Sequence, residues 1–457
     1  MLRGGTGLPP YEKFLKDKSE RCREHCTFSS DLYDEHDVKK GLRDRDGKGV
    51  VAGITNVSKV IGKEMVDGVP TPCKGHLLYR GYDIDDLVRR KKGQLGLFEE
   101  CAYLLLFDEF PSEKELGEFR YYLNTRMVLP NSFIKDVILR DNGFDVMNTL
   151  SRGVLGLALY DENLVLSDPY YTLDHVMRIM AAMPVMAVYG YQAHAHYGMD
   201  EALYIAKPDQ TLTVAENILR MMRPGGGYTE LEARILDRIL VLHMEHGGGN
   251  NSTFTARVVS SSGSDTYSVV AAALLSLKGP KHGGANLKVS QMAKDIKRNV
   301  EDITDPGQME EYLTLIAKGE AFDRTGLIYG MGHAVYSLSD PRAEILRGLA
   351  EQLAEAKGRG DEFTMYRLIE EKSKDIITGM HPNAIVCANV DLYSGFIYDL
   401  LGIPQEMYTP LFAVARTVGW CAHHMEETIS SNKIIRPAYV SIVSEREIDG
   451  HGSDPDE

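Results

Sequence analysis

From about Leu97 onward, apolar residues recur at three- and four-residue steps almost without a break, which dictates a chain built of packed helices. Leu97-Phe98, Cys101 to Leu106, Met177 to Met186 and Ile218 to Met222 all carry this spacing, with punctuation such as Arg223-Pro224-Gly225-Gly226-Gly227 between segments. The stretch 230–246 shows the pattern in detail. Thr229 and Glu232 stand at capping-box spacing, so each can satisfy an otherwise orphaned amide at a helix start. Leu231, Ile235, Leu236, Ile239, Leu240 and Leu242 line one face. Glu230, Arg234, Asp237 and Arg238 are expected in water. His243 and His246 continue the apolar face, and Gly247-Gly248-Gly249-Asn250 is expected to end the helix there.

Strand-like material is scarce. Residues 75–84 alternate between glycines and read as a short hairpin, and Tyr439 to Val443 reads as a tail strand. No internal repeat of fixed period is present. The fold class is therefore mainly α, with a polar arm over 1–50 and a solvated acidic tail over 441–457.

A net charge of −15 argues against nucleic acid or an anionic membrane as partner, so any anionic ligand needs a local cluster of arginines. The six cysteines are scattered without a C-x-x-C pair, which fits free thiols in a reducing compartment. The N-terminus lacks the apolar core of a signal peptide, and its acids do not suit a transit peptide. The most apolar long stretch, Val176 to Tyr191, contains Arg178 and Pro184 and is too short to span a bilayer. The expected location is cytoplasmic.

Metal motifs fail on spacing. His243-Met244-Glu245-His246 has two residues between its histidines where helical zinc motifs have three, and Cys22, His25 and Cys26 lack a second ligand pair. His194-x-His196 reads as structural.

Three other constellations carry chemistry. Gly279-Pro280-Lys281-His282-Gly283-Gly284-Ala285-Asn286 places a histidine in a loop between two helical runs, where paired glycines tolerate positive φ and close backbone approach. Gly330-Met331-Gly332-His333-Ala334-Val335 repeats the arrangement, with Arg342 nine residues on. There the glycines are expected to free backbone amides for a ligand. Asn389-Val390-Asp391-Leu392-Tyr393-Ser394-Gly395 sets one carboxylate beside an apolar run, where desolvation raises its pKa and suits a general base. Arg416 lies inside an apolar helix expected to begin with Thr409 as cap and Pro410 at its first position, and Arg436 stands in an apolar segment. A buried arginine is expensive unless it meets an anion. Two loop histidines, one aspartate and three arginines (Arg342, Arg416, Arg436) make an inventory for proton abstraction beside a carbonyl, on a polycarboxylate held by guanidinium forks.

In order along the chain, 279–286, 330–335 with Asp340-Pro341-Arg342, and 389–395 resemble the three catalytic motifs of the citrate synthase family. Residues 77–84, 215–222 and 409–416 are similar to further signatures of that family. The resemblance implies a homodimeric helical enzyme that condenses acetyl-CoA with oxaloacetate, without metal or prosthetic group. It implies a large domain (51–279 and 389–440) and a small one (280–388) that close over the cleft between them. By position, Asp391 would take the methyl proton, His282 would hydrogen-bond the thioester oxygen, and His333 would polarise the oxaloacetate carbonyl. His246, His333, Arg342 and Arg416 would bind oxaloacetate, with Arg436 reaching in from the partner subunit. Gly330, Met331 and Gly332 would contact CoA. Departures from the pattern are Met331, Gly247, Ala388 and the absence of a basic residue in Tyr336-Ser337-Leu338-Ser339. A 2-methylcitrate synthase using propionyl-CoA would carry the same residues, and a non-catalytic CoA- or dicarboxylate-binding homologue would not need Asp391.

Overall fold

The computed structural model describes residues 10–44, 48–91, 93–140, 145–164, 168–382, 384–431 and 433–445. The chain divides into two units, 1–53 with 436–457, and 54–435. In the first, the arm forms a helix, Pro10–Cys26, a short helix, Ser30–Glu35, and an isolated bridge between Arg43 and Gly49. The expected strand at 439–443 does not form. Apolar alternation supplies a strand's faces but not its ladder partner, and Tyr439 and Val443 stay exposed.

The second unit is helical around one hydrophobic core, with a three-stranded antiparallel sheet at its start: β1 (Ser58–Val66), β2 (Val69–Tyr79) and β3 (Tyr82–Asp83). The hairpin expected at 75–84 is the β2–β3 pair, and β1 escaped the sequence reading. Its Ser-Lys-Val-Ile-Gly-Lys alternation is interrupted by a register shift between Ile61 and Lys63. The longest helix among the described residues, Pro169–Met199, is buried through its middle, exposed at both ends, and runs on through Pro184. No helix among the described residues is long and apolar enough to cross a membrane.

The segment 230–246 departs from expectation in two respects. The capping box is present, with Thr229 accepting from the Glu232 amide and Glu232 accepting from the Thr229 amide. Asp237 and Arg238, however, are buried instead of facing water. Asp237 accepts the Leu97 and Phe98 amides at 3.0 Å each, capping the helix Leu97–Phe107 from outside. Arg238 donates to the carbonyls of Lys91, Gln94 and Arg234. A polar residue with a neighbouring helix end to satisfy is drawn inward, and periodicity alone does not reveal that neighbour. The helix also stops at His243, so His246 lies just beyond it, although both histidines are buried as expected.

This frame fixes the site. The helices Asn251–Ser261 and Thr266–Lys278 pack on each other and on the Arg416 helix, Tyr408–Ser430. The Asp391 helix, Val390–Leu400, packs on Pro341–Ala356, which carries Arg342, and on Ala285–Asn299.

Candidate active site

These elements converge on a cavity of about 140 Å³ lined by His246, His282, His333, Arg342, Asp391 and Arg416, among others. Residues spread over 171 positions of sequence thus meet at one place. Arg436 belongs to the other unit, is exposed, and is outside this lining set.

His282 sits in the loop between Thr266–Lys278 and Ala285–Asn299. Its Nε2 accepts the Ser252 amide at 3.3 Å and lies 3.0 Å from Ser252 Oγ, which also accepts the Trp420 indole N–H at 3.1 Å. These bonds assign the neutral tautomer with its proton on Nδ1. Burial, reinforced by the Arg416 charge, lowers the ring to about 4, so it stays neutral at ordinary pH. His282 is therefore a hydrogen-bond donor and not a cation.

The glycines after it have a different reason from the one expected. Neither Gly283 nor Gly284 has positive φ. A Cβ on Gly283 would lie 2.4 Å from the Leu277 carbonyl oxygen and 2.8 Å from Thr409 Cγ2, so close packing demands the glycine. Thr409, expected as a cap, instead lies inside its helix, which starts at Tyr408, and donates its hydroxyl to the Gly283 carbonyl at 2.9 Å. Thr409 is thus a tether that ties the His282 loop to the Arg416 helix.

His333 has the opposite tautomer. Its Nδ1 accepts the Val335 and Tyr336 amides, both at 3.0 Å, which places the neutral ring's proton on Nε2. Tyr336 stacks on the imidazole with centroids 4.6 Å apart. Arg342 Nη2 lies 3.4 Å from His333 Nε2, so the guanidinium and the imidazole stand side by side at the cavity. A fork to Asp340, with Nε at 3.0 Å and Nη2 at 2.7 Å, fixes the guanidinium and holds it charged.

Of the amides around Gly330 and Gly332, expected to be free, those of Met331 and Gly332 are not. Gly332 donates to the Cys387 carbonyl at 2.8 Å, Asn389 donates to the Gly330 carbonyl at 2.9 Å, and Met331 pairs with Ala388 in an isolated antiparallel bridge. Gly330 has φ +86°, and a Cβ there would meet Leu392 Cα at 3.1 Å. The turn is spent on joining the His333 segment to the Asp391 segment.

Asp391 stands in the first turn of its helix, its amide capped by Asn389 Oδ1 at 3.0 Å. Burial raises its carboxyl to about 6, with Arg342 and Arg416 pulling down and Asp340 pushing up. This is the raised carboxylate expected from the apolar run before it. The group remains mostly ionised at neutral pH and is a stronger base than a solvated aspartate.

Arg416 is fully buried. Its Nε donates to the His243 carbonyl at 2.7 Å and its guanidinium lies 4.6 Å from the Phe412 ring centroid, yet Nη1 has no partner and no described carboxylate pairs with it. Desolvation lowers it to about 10. The neighbouring His246 is held well below its usual range by burial, and its Nε2 also lacks a partner. Buried donors without acceptors call for a ligand, and the cation among them selects an anionic one. Sequence reasoning missed Ser252, Trp420 and Asn250 beside these groups. Only the small polar run Asn250-Asn251-Ser252 after three glycines hinted at them.

The sequence matches the family described as "Citrate synthase, C-terminal domain" over residues 42–438. It is 34% identical over 420 residues to a citrate synthase of Synechocystis sp., covering 90% of this chain and 92% of that one. It is 38% identical over 369 residues to a citrate synthase of Haloferax volcanii, covering 79% and 88%. Proteins called 2-methylcitrate synthase are also among the matches. Among solved structures, a ternary complex of carboxymethyl coenzyme A and oxaloacetate with citrate synthase from Thermoplasma acidophilum superposes with a TM-score of 0.72 at 25% identity, covering 90% of this chain and 97% of that one. With its family match spanning most of its length, the chain belongs to the citrate synthase family.

Proposed function

We propose that this protein condenses acetyl-CoA with oxaloacetate to citrate and free CoA. The observation that carries the reading is one small cavity holding a raised carboxylate, Asp391, between two neutral imidazoles whose hydrogen bonds leave opposite nitrogens protonated. Asp391 removes a methyl proton from acetyl-CoA while His282 Nδ1–H bonds the thioester oxygen and stabilises the enol. A carboxylate alone is too weak a base for so weak a carbon acid. The methyl carbon then attacks the ketone carbon of oxaloacetate. The C–C bond forms as the ketone oxygen accepts a proton from His333 Nε2. Water finally displaces CoA thiol from the citryl thioester.

Arg342, Arg416 and His246 hold the oxaloacetate carboxylates, with Arg436 supplied by a second subunit of a homodimer. Gly330-Met331-Gly332 contacts CoA on its open side, where a Cβ at Gly332 would meet nothing within 4 Å. Proton transfer and hydrogen bonding by these side chains account for the whole reaction, which calls for no metal or prosthetic group. Closure of residues 280–388 over the rest would exclude water until the C–C bond has formed. Six free cysteines suit a reducing, cytoplasmic setting.

The test is release of CoA thiol by purified protein given oxaloacetate with acetyl-CoA or propionyl-CoA. Thiol release with acetyl-CoA preferred is the expected result. Preference for propionyl-CoA would assign the 2-methylcitrate reaction instead, and no thiol with either donor would overturn the enzymatic reading.

A further inference from the structure

Asn389 makes an unusual set of bonds for a helix cap. Its Oδ1 accepts the Asp391 amide at 3.0 Å, as a cap should. Its Nδ2 donates to the Gly332 carbonyl at 2.9 Å, and its own amide donates to the Gly330 carbonyl at 2.9 Å. Gly332 returns the link through its amide to Cys387. One residue therefore touches both the turn that carries Asp391 and the Gly330 and Gly332 carbonyls in the turn before His333. A side chain used only to start a helix would need no more than its oxygen.

The rest of the His333 segment is braced by the sheet. A Cβ on Gly62 in β1 would stand 2.3 Å from the Val335 carbonyl oxygen, and one on Gly75 in β2 would stand 2.1 Å from that of Ser339. Gly75 also donates its amide to Ser339 Oγ at 3.2 Å. The sheet thus supports the chain after His333 and Asn389 the chain before it. Any slack on the Asn389 side lets the base move relative to the imidazole.

We infer that Asn389 is a positioning residue whose carboxamide sets the spacing between Asp391 and His333, acting through backbone and not on substrate. The inference rests on the condensation proposed above. Carbon–carbon bond formation needs the enol held over the ketone, so the base that makes the enol and the imidazole that polarises the ketone must keep a fixed separation. The charged and titratable groups that face Asp391 are Arg342, Asp340, Arg416 and Tyr398, and His246, His282, His333 and Tyr408 share its cavity. Asn389 contributes no charge to that balance, as a neutral strut should.

Two variants separate this role from simple capping. Asn389→Ser keeps a cap acceptor but loses the bond to Gly332. Asn389→Asp keeps shape and cap, loses the amide donor, and sets a second carboxylate beside Asp391. With both variants folded, measured by circular dichroism and by an oxaloacetate KM within about threefold of wild type, kcat for Asn389→Ser is expected to fall roughly 10- to 100-fold. Asn389→Asp is expected to move the acid limb of kcat/KM upward by about one pH unit, through like-charge repulsion on Asp391. Wild-type kcat in Asn389→Ser, or a loss that matches only the unfolded fraction with an unmoved acid limb in Asn389→Asp, would overturn the inference. If wild type itself releases no thiol, the reaction assignment has failed. If wild type turns over and Asn389→Ser does so equally, only the positioning role has failed.

Discussion

Replacing Arg416 by methionine should stabilise the empty protein and abolish its response to oxaloacetate. Arg416 is fully buried without a carboxylate partner among the described residues, and desolvation lowers its guanidinium well below the usual arginine range, to about 10. At about 1.36 kcal/mol per tenfold, holding the charge there costs roughly 3 kcal/mol. A base with a depressed folded value carries this cost at every pH below about 10 and loses it as pH rises toward the ordinary arginine range, so at pH 7 the whole penalty is present. Methionine fills similar volume without charge. The His243 carbonyl loses the Nε–H donor 2.7 Å away, which takes back about 1 kcal/mol, leaving a net gain of roughly 2 kcal/mol. Urea unfolding monitored by circular dichroism reads this as a higher midpoint for Arg416→Met. Oxaloacetate at a hundred times its Kd should then raise wild-type stability by about 2.7 kcal/mol and leave the variant unmoved. A variant less stable than wild type without ligand would refute the reasoning, because Arg416 would then be a structural ion. Equal stabilisation of both proteins by oxaloacetate would refute its place in the anion site.

Two further perturbations probe the groups around it. The acid limb of kcat/KM should fall about tenfold per pH unit below roughly 6, as protonation removes the Asp391 base, while His282 stays neutral down to about 4. A limb near 4, or activity that falls as pH rises through neutrality, would assign the titrating group elsewhere. Gly283→Ala forces a Cβ to within 2.4 Å of the Leu277 carbonyl oxygen and should cost about 1–3 kcal/mol of stability in thermal or urea unfolding, with kcat reduced through displacement of His282. A fully stable and active Gly283→Ala would show that the loop relaxes freely and that its glycine is not a packing requirement.

The helical class and the site's titratable groups were legible because each carries a local signal. Apolar spacing reports a helix face, and a histidine or arginine amid glycines or apolar residues is conspicuous. What escaped were relations between distant segments. Asp237 and Arg238 obey the periodicity of a wet face, yet an uncapped helix start at Leu97 and carbonyls near Lys91 and Arg234 draw them inward. Thr409-Pro410 has the composition of a cap, but the Gly283 carbonyl claims the hydroxyl. The glycines before and after the two loop histidines looked like room for a ligand. Gly283 and Gly330 prove to be room for Leu277, Thr409 and Leu392. Ser252 gave no signal beyond its place in a small polar run, since its effect on His282 depends on which helix end lies opposite the loop. The resemblance to a known family named the chemical groups. Only the geometry supplied the tautomers and the bracing that make them usable.

The most direct test of the account replaces Asp391 by asparagine, which keeps shape and hydrogen bonding but cannot accept the methyl proton. Oxaloacetate binding by calorimetry should stay within a few-fold of wild type, because Arg342, Arg416 and His246 are untouched. CoA thiol release from acetyl-CoA should fall by roughly 10²–10⁴. Thiol release within tenfold of wild type, with binding intact, would contradict the central claim that Asp391 is the base.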